Sequence, residues 1–493
     1  MPADPLTTQV IIVGAGPVGL MLAGELRLGG ARVVVLEQRH HPGNESRAST
    51  LHARTMEILD SRGLLADFGT PPNDPRGHFG GIPLDLTLPT PYPGQWKVPQ
   101  TRTEAVLEEH ALARGADIRC GHRLTAVDTT DPGHVRATAQ GRDGTLQVRG
   151  DYLVACDGED STVRALVGAD FPGHDAGREL LRADVAGITV PDRRFQRLDQ
   201  GLAIAARRAD GVTRVMVHQF GTRARPRTTA PDFTEVAEVW KRVTGEDITT
   251  GTPLWVNAFG DTARQLAHYR HGRILFAGDA AHRQMPVGGQ ALNLGLADAF
   301  NLGWKLALQL RHRDHPQLLD SYHHERHTVG RRVLANIRTQ TRLLLGGPEV
   351  EPLRALLGEL LAHRPVREHL AAMISGLDVH YPDPQAAHPL QGTRLPPTAV
   401  HTRAGRTTTT ALLRPGRGLL LDLHPTAPAT VHAPWADRVT ALAARPDHPD
   451  GPLQGTDRVL LRPDGHIAWA GTGQAGLAGA LQRWFGPPTP TTP

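Results

Sequence analysis

The sequence predicts an α/β fold, built on a parallel sheet with helices on both faces and extended by further domains. Three observations lead there. Near the N-terminus an apolar run, a glycine turn, a helical pattern and a second apolar run follow one another. Far along the chain another apolar run, RILFA at 273–277, closes on Gly278-Asp279 and passes through a glycine loop into a long helical pattern. Finally, 493 residues exceed one ordinary core, so two or three domains are expected.

Taken in order, residues 9–13 (QVIIV) read as a buried parallel strand, because they are continuously apolar and bounded by glycine. Gly14-Ala15-Gly16-Pro17-Val18-Gly19 follows, then Leu20, Ala23, Gly24 and Leu28 at helical spacing. Residues 32–36 (RVVVL) form a second strand that ends at Glu37, with Gln38 beside it. A strand, a GxGxxG turn, a helix, a strand and an acid about twenty residues on make a dinucleotide-binding fingerprint. Gly14 permits the tight turn, Gly16 the approach of backbone N–H groups to a pyrophosphate, and Gly19 close helix–strand packing. Pro17 suits the first helical turn, where its missing N–H costs nothing. The helix N-terminus favours phosphate charge, and Glu37 can accept ribose hydroxyls. The fingerprint does not separate NAD from FAD.

Gly471-Thr472-Gly473-Gln474-Ala475-Gly476 repeats the glycine pattern near the other end, between HIAWA and LAGALQRWFG. No second strand or distal acid remains after it, so it reads as a turn into a C-terminal helix. One dinucleotide site is expected.

In the segment 272–307, Asp279 stands at the carboxyl end of a strand, where ligands of doubly wound sheets bind. Pro286-Val287-Gly288-Gly289-Gln290 leads to a helix from about 291 or 292 through 305 and beyond. Its glycines admit backbone N–H groups to a flat ring, and the helix N-terminus offers positive potential to a carbonyl or a developing anion.

Composition narrows the function classes. Cys120 and Cys156 are the only cysteines, too few for a disulfide framework or a cysteine zinc site, and a reducing, cytoplasmic setting fits them. The arginines are scattered and the net charge is +4, so nucleic acid is not an expected partner. No stretch approaches a membrane span, and the N-terminus lacks the features of a secretory signal. His323 and His327 lie four apart, but HHERH is not HExxH and no third ligand is apparent, so a solvated helix face is expected and no metal site. The Asn44-Glu45-Ser46 sequon carries no meaning in such a setting. No GxSxG and no Cys/His pair suggests a protein nucleophile.

Three segments together carry a resemblance: Gly14–Gly19 with Glu37, then Asp157-Gly158 in ACDGEDSTVR, then GDAAHRQMPVGGQALNLGLADAFNLGWKLA. In that order and at comparable spacing they resemble the class A flavoprotein monooxygenases, the FAD-dependent aromatic hydroxylases. RASTLHARTMEIL (47–59), VPQTRTEAVL (98–107) and DRVLLRPDGHIAWA (457–470) are similar to the aromatic polyketide hydroxylases of actinomycetes. The resemblance implies a Rossmann-like FAD-binding domain from 1–75, 98–175 and 265–380, a β-sheet substrate domain from 76–97 and 176–264, and a thioredoxin-like C-terminal domain at 398–493 without redox cysteines.

It also implies roles. Gly14, Gly16 and Gly19 would hold the FAD pyrophosphate and Glu37 the adenosine ribose, with Pro17 and Gln38 as further cofactor-binding residues. Arg47 and Gln100 would approach FAD, Asp157 would lie in the motif associated with FAD and NAD(P)H, and Asp279 would hold the ribityl–pyrophosphate region. Pro286, Gly288 and Gly289 would line the isoalloxazine, and Gln290, Ala291 and Leu292 would be further cofactor-binding residues; here GGQALN departs from the GGQGMN common in relatives. The implied reaction uses NADPH or NADH and O2 to hydroxylate a polycyclic aromatic polyketide through a flavin C4a-hydroperoxide, with no obligatory catalytic side chain. Baeyer–Villiger oxidation, attack on a rifamycin-type antibiotic, and a flavin reductase without oxygen transfer stand as alternatives. The expected state is a monomer or homodimer.

Overall fold

The structure, a computed structural model, describes residues 5–41, 43, 48–227, 229–312, 315, 317–384, 386–423 and 433–489. Arg47, the sequon at 44–46 and the end of the proline-rich tail lie outside them.

The first apolar run becomes the strand Val10–Val13, inside a six-stranded sheet. Across it the strands run Arg270–His271, Ile274–Phe276, Tyr152–Ala155, Val10–Val13, Val33–Leu36 and Asp117–Arg119. All neighbours are parallel except the hairpin pair at 270–276. Four central strands are buried along their whole length, which explains why they read as apolar runs and not as alternating patterns. The chain order reverses between Val10–Val13 and Tyr152–Ala155, so a crevice opens there at the carboxyl ends.

Helix Pro17–Leu28 begins at Gly16 with proline in its first turn, as the sequence predicts. Helix Gln290–Arg311 crosses it closely. A Cβ on Gly303 would stand 2.3 Å from Glu25 Cβ, and one on Gly295 2.7 Å from Val18. Each mid-helix glycine costs about 1 kcal/mol of helix propensity; the close crossing is what the cost permits. Helix Gln317–Leu345 packs next to it.

A second sheet carries Arg193–Leu198, Gly201–Arg207, Thr213–Gln219, Glu179–Ala186 and Thr252–Gly260, all antiparallel. Alternation sorts its side chains between two faces. Leu181, Ala183, Val185, Val215 and Val217 pack under helix Phe233–Thr244 and its buried Trp240. Leu180 and Leu202 pack instead against Met285 and Val287 of the glycine loop, and against Ile337 and Leu344 of the long helix.

The C-terminal sheet runs Gly405–Thr408, Ala399–Thr402, Val439–Pro446, Gly418–Asp422, Arg458–Leu461 and Ile467–Gly471. Its last four strands contribute one parallel and two antiparallel pairs, and helix Leu477–Phe485 follows. That is the strand arrangement of a thioredoxin-like core, in a segment without cysteine. The second GxGxxG joins an edge strand to this last helix, and no βαβ unit forms there among the described residues.

Buried ion pairs join this sheet to the rest of the molecule. Arg462 donates to both carboxylate oxygens of Glu325, at 2.6 and 3.0 Å, and to Asp464 at 2.5 Å. Lys305 and Asn301 each donate to Glu325 at 2.7 Å, and Trp304 Nε1 donates to Asp464 at 3.2 Å. Arg62 grips Glu25 at 2.6 and 2.9 Å and donates to the carbonyls of Leu413 and Pro463.

Candidate active site

The sheet sets out the site. Gly14, Glu37, Asp157 and Asp279 follow four adjacent parallel strands, so their loops share one edge of the sheet. Two glycines of the fingerprint are required by the protein itself. Gly14 has φ +100°, and a Cβ there would lie 2.4 Å from Cys156 O; a Cβ on Gly19 would lie 2.0 Å from Gly14 O. Gly16 differs, because a Cβ on it would meet no protein atom within 4 Å. The fold leaves room at that position and nowhere else in the fingerprint.

Glu37 is buried. It accepts the Ala15 N–H at 2.8 Å and, through its other oxygen, the Arg39 N–H and guanidinium at 2.8 and 3.1 Å. It thus braces the glycine turn and stands at a pocket that Arg39, Thr101 and Glu104 also line. Gln38 is exposed beside it. Gln100 opens helix Gln100–Ala113, accepts the Ala48 N–H at 3.2 Å and donates to Glu104 at 2.9 Å.

Asp157 follows its strand and accepts the Val163 N–H at 3.0 Å through Oδ2, at the start of helix Thr162–Leu166, which Ser161 caps. Its Oδ1 is buried without a protein partner among the described residues. Burial raises its pKa against the hydrogen bonds from Ser161 and Val163. Gly158 takes φ +82°. Arg164, which sequence reasoning passed over, ties this loop to the next by donating to Glu159 O at 2.6 Å and Ala280 O at 3.1 Å. Asp279 is exposed in the turn Gly278–Ala280.

Behind that turn lies a charged cluster the sequence did not reveal. Asp298 accepts the Gly278 N–H at 3.2 Å, His282 Nε2–H at 2.7 Å and Arg326 Nε–H at 2.7 Å. Burial pushes its carboxyl up, but Arg326 and His282 outweigh burial and hold it below the usual range. The GDAAH histidine therefore anchors a turn.

The glycine loop is held from one side. Gly288 and Gly289 take φ +70° and +66°, a left-handed pair that side chains would strain. His52 Nε2–H donates to Gly288 O at 2.8 Å, and Asn293 Nδ2 donates to Gly289 O at 2.8 Å and Thr50 O at 3.0 Å. Asn293 Oδ1 accepts from His52 N at 2.8 Å and Thr55 Oγ1 at 2.6 Å. Burial lowers the His52 pKa to about 4, so the imidazole is neutral at pH 7. Pro286 is exposed at the loop's tip. The helix starts at Gln290, one residue earlier than the sequence predicts, and Ala291 and Leu292 are half-buried in its first turn. Asn293 and His52 were legible in retrospect as polar residues of the quoted GGQALN and TLHART segments; nothing in spacing distinguished them.

On the second sheet Arg182 is buried, with its guanidinium carbon 4.0 Å from the Trp255 ring centroid. Burial and the nearby Arg214 lower its pKa to about 10.

The residues present fit a flavin dinucleotide: a glycine with open space at a helix N-terminus, an orphaned buried acid oxygen, and a left-handed glycine pair beside an apolar sheet face. Among the described residues no group could hold a metal ion, and no helix is long and apolar enough to cross a membrane. His323 and His327 share a helix face with rings 4.9 Å apart; they are half-buried, and His323 accepts the Tyr269 N–H at 3.2 Å, so the solvated face expected there is partly covered.

Comparison with known proteins gives the family. Residues 7–337 match the FAD binding domain model, and residues 388–488 match the aromatic-ring hydroxylase C-terminal model. The chain is 40% identical to the 12-dehydrotetracycline 5-monooxygenase/anhydrotetracycline 6-monooxygenase of Streptomyces rimosus subsp. rimosus, over 97% of this chain and 99% of that one. It is 39% identical to the rifampicin monooxygenase of Streptomyces venezuelae, over 98% and 99%. The crystal structure of CabE, an aromatic hydroxylase from angucycline biosynthesis, superposes with a TM-score of 0.93 at 47% identity, covering 98% of this chain and 99% of that one. With the fingerprint, the glycine loop and the C-terminal sheet all in their places, the chain belongs to the FAD-dependent aromatic-ring hydroxylases and is a flavoprotein monooxygenase.

Proposed function

We propose that this protein hydroxylates a polycyclic aromatic polyketide, using NAD(P)H and O2. The observation that carries the reading is the left-handed glycine loop, pinned by His52 and Asn293 on one side and facing an apolar sheet surface on the other. Gly14, Gly16, Pro17 and Gly19 would hold the pyrophosphate, Glu37 and Gln38 the adenosine end, and Asp157 and Asp279 the linking region. Gln100 and Arg47 would approach the cofactor, and Pro286, Gly288, Gly289, Gln290, Ala291 and Leu292 would line its ring. FAD, when bound, supplies the oxygen activation, with NAD(P)H as electron donor.

The chain's own residues do the positioning. The N–H groups at the start of helix Gln290–Arg311 offer positive potential to a ring carbonyl. Leu180, Leu202, Met285 and Val287 pack together between the sheet and the loop and exclude water there. One oxygen atom of O2 enters the substrate, the other leaves as water, and the nicotinamide supplies the electron pair. In this reading 1–75, 98–175 and 265–380 form the FAD-binding domain, 76–97 and 176–264 the substrate domain, and 398–493 the C-terminal domain. The unit at work is a monomer or homodimer.

Turnover under labelled O2 with a panel of polycyclic phenols tests the reading. A product carrying one labelled oxygen supports it; NAD(P)H oxidation with no labelled product for any compound sinks it. The similarity to a rifampicin monooxygenase keeps an antibiotic substrate as a second reading, and a labelled product from rifampicin alone would select it.

A separate prediction concerns the loop. Asn293→Ala leaves His52 N–H, Thr50 O and Gly289 O without their partner, so we expect a loss of about 1–3 kcal/mol in stability. Flavin retention on dilution should fall with it, read by flavin fluorescence alongside thermal melting. Unchanged retention would remove Asn293 from the loop's support.

A further inference from the structure

The hairpin of Arg76–Phe79 and Ile82–Asp85 also touches the glycine loop. Its first strand lies against Val287–Gly289. At its turn the Gly80 N–H donates to Gln340 Oε1 at 3.3 Å, and a Cβ on Gly288 would lie 3.5 Å from the same oxygen. Phe79, Ile82 and Leu84 hold the hairpin in an apolar cluster with Leu343, Leu361 and Ile374. Arg354 ties the turn to the long helix by donating to Gly80 O at 2.5 Å and Leu343 O at 2.7 Å.

Alternation along the strand turns His78 away from that cluster. Its ring meets Phe195, with centroids 4.0 Å apart, and Phe195 packs against the cluster that contains Met285 and Val287 of the glycine loop. Among the described residues Phe195 is the only non-glycine with a positive φ, +51°. Bulky residues rarely adopt that conformation. Such strain persists only where the surroundings impose it, and it gathers at ligand sites.

The imidazole has one fixed pattern of protons. The Gly81 N–H donates to His78 Nδ1 at 3.2 Å, so the proton of the neutral ring sits on Nε2. Burial, with Arg194, Lys97 and His52 nearby, lowers the His78 pKa to about 4, so the ring is neutral at pH 7. The residue is half-buried, and its Nε2–H has no partner among the described residues.

We propose that His78 is a specificity-determining residue of the hydroxylation site, whose Nε2–H donates to a carbonyl or phenolic oxygen on the edge of the polycyclic substrate. This rests on the hydroxylase reading above. A donor that cannot also accept selects a ring compound with an oxygen at that edge and discriminates against the bare hydrocarbon. Phe195 is the positioning residue, because its backbone sets the ring against which the imidazole stacks. A histidine that merely braced the Gly80-Gly81 turn through Nδ1 would affect every ligand alike.

Binding of 1-naphthol and of naphthalene to the FAD-loaded enzyme, without NAD(P)H, separates these roles, read from the perturbation of the flavin absorbance band. His78→Asn keeps an acceptor for the Gly81 N–H but has no donor at the Nε2 position; His78→Leu has neither. Both should weaken 1-naphthol about 10-fold, the usual worth of one hydrogen bond, and leave naphthalene unchanged. Equal weakening of the two ligands in His78→Asn overturns the inference, as does undiminished 1-naphthol affinity in either folded variant. A parent enzyme whose flavin band does not respond to 1-naphthol overturns it as well. Failure of the hydroxylase reading shows separately, as the absence of labelled product from every phenol in the panel.

Discussion

Gly16→Val is expected to yield a folded protein that does not retain FAD. A Cβ at this position meets no protein atom within 4 Å, and Gly16 holds φ −76°, which any residue adopts. Folding stability should therefore stay within about 0.5 kcal/mol of the parent, as for surface substitutions away from special features. The added side chain occupies the space where backbone N–H groups at the start of helix Pro17–Leu28 would meet the pyrophosphate. Hydrogen bonds to a charged group contribute about 1.5–3 kcal/mol each, so losing two weakens FAD binding on the order of 100-fold or more. Gly19→Ala makes the contrast. Its Cβ would lie 2.0 Å from Gly14 O, and overpacking of this kind costs about 1–3 kcal/mol or more. Absorbance at the flavin band and thermal melting, measured on both variants, separate the two effects. Full FAD content in Gly16→Val would place the pyrophosphate elsewhere.

Arg462→Met is expected to cost about 3–5 kcal/mol, the usual penalty for breaking a buried ion pair from one side. Arg462 is 1% exposed and donates to both Glu325 and Asp464. Without it, Lys305 is left to face two buried carboxylates. A double change, Arg462→Met with Glu325→Gln, should recover part of the loss, because buried charge is then removed on both sides. The same cluster sets an acid dependence. Burial pushes the Glu325 pKa up, but Arg462 and Lys305 outweigh burial and hold it at about 2; Asp464 is likewise held well below its ordinary value, by Arg462 and His466. Both folded values lie under the unfolded ones, so this stabilisation is complete above about pH 5 and is lost as pH falls toward the folded values. Denaturant unfolding at neutral and acid pH checks it: the parent should lose stability on acidification more steeply than Glu325→Gln. Equal slopes would mean that these carboxylates do not carry the acid response.

Part of this molecule is local chemistry written along the chain, and the sequence by itself determined that part. Continuous apolar runs such as 10–13 and 33–36 specify parallel strands buried on both faces, because only such strands tolerate side chains that are apolar in both directions. Gly14, Gly19, Gly288 and Gly289 are glycines for reasons of backbone angle or close approach, which hold wherever the rest of the chain goes. The dinucleotide fingerprint, the glycine loop before a helix and the absence of a second βαβ unit were legible for that reason. Tertiary structure alone decided the rest. Asp298, Arg326 and His282 are common residue types at spacings that carry no signal, and only the crossing of two long helices buries them as one cluster. Arg462 meets Glu325 across 137 positions of sequence, and His52 meets Gly288 across 236. Such pairs are chosen by desolvation: once packing removes water, each buried charge or polar atom must find a partner, and its partner comes from whichever element the fold has brought there.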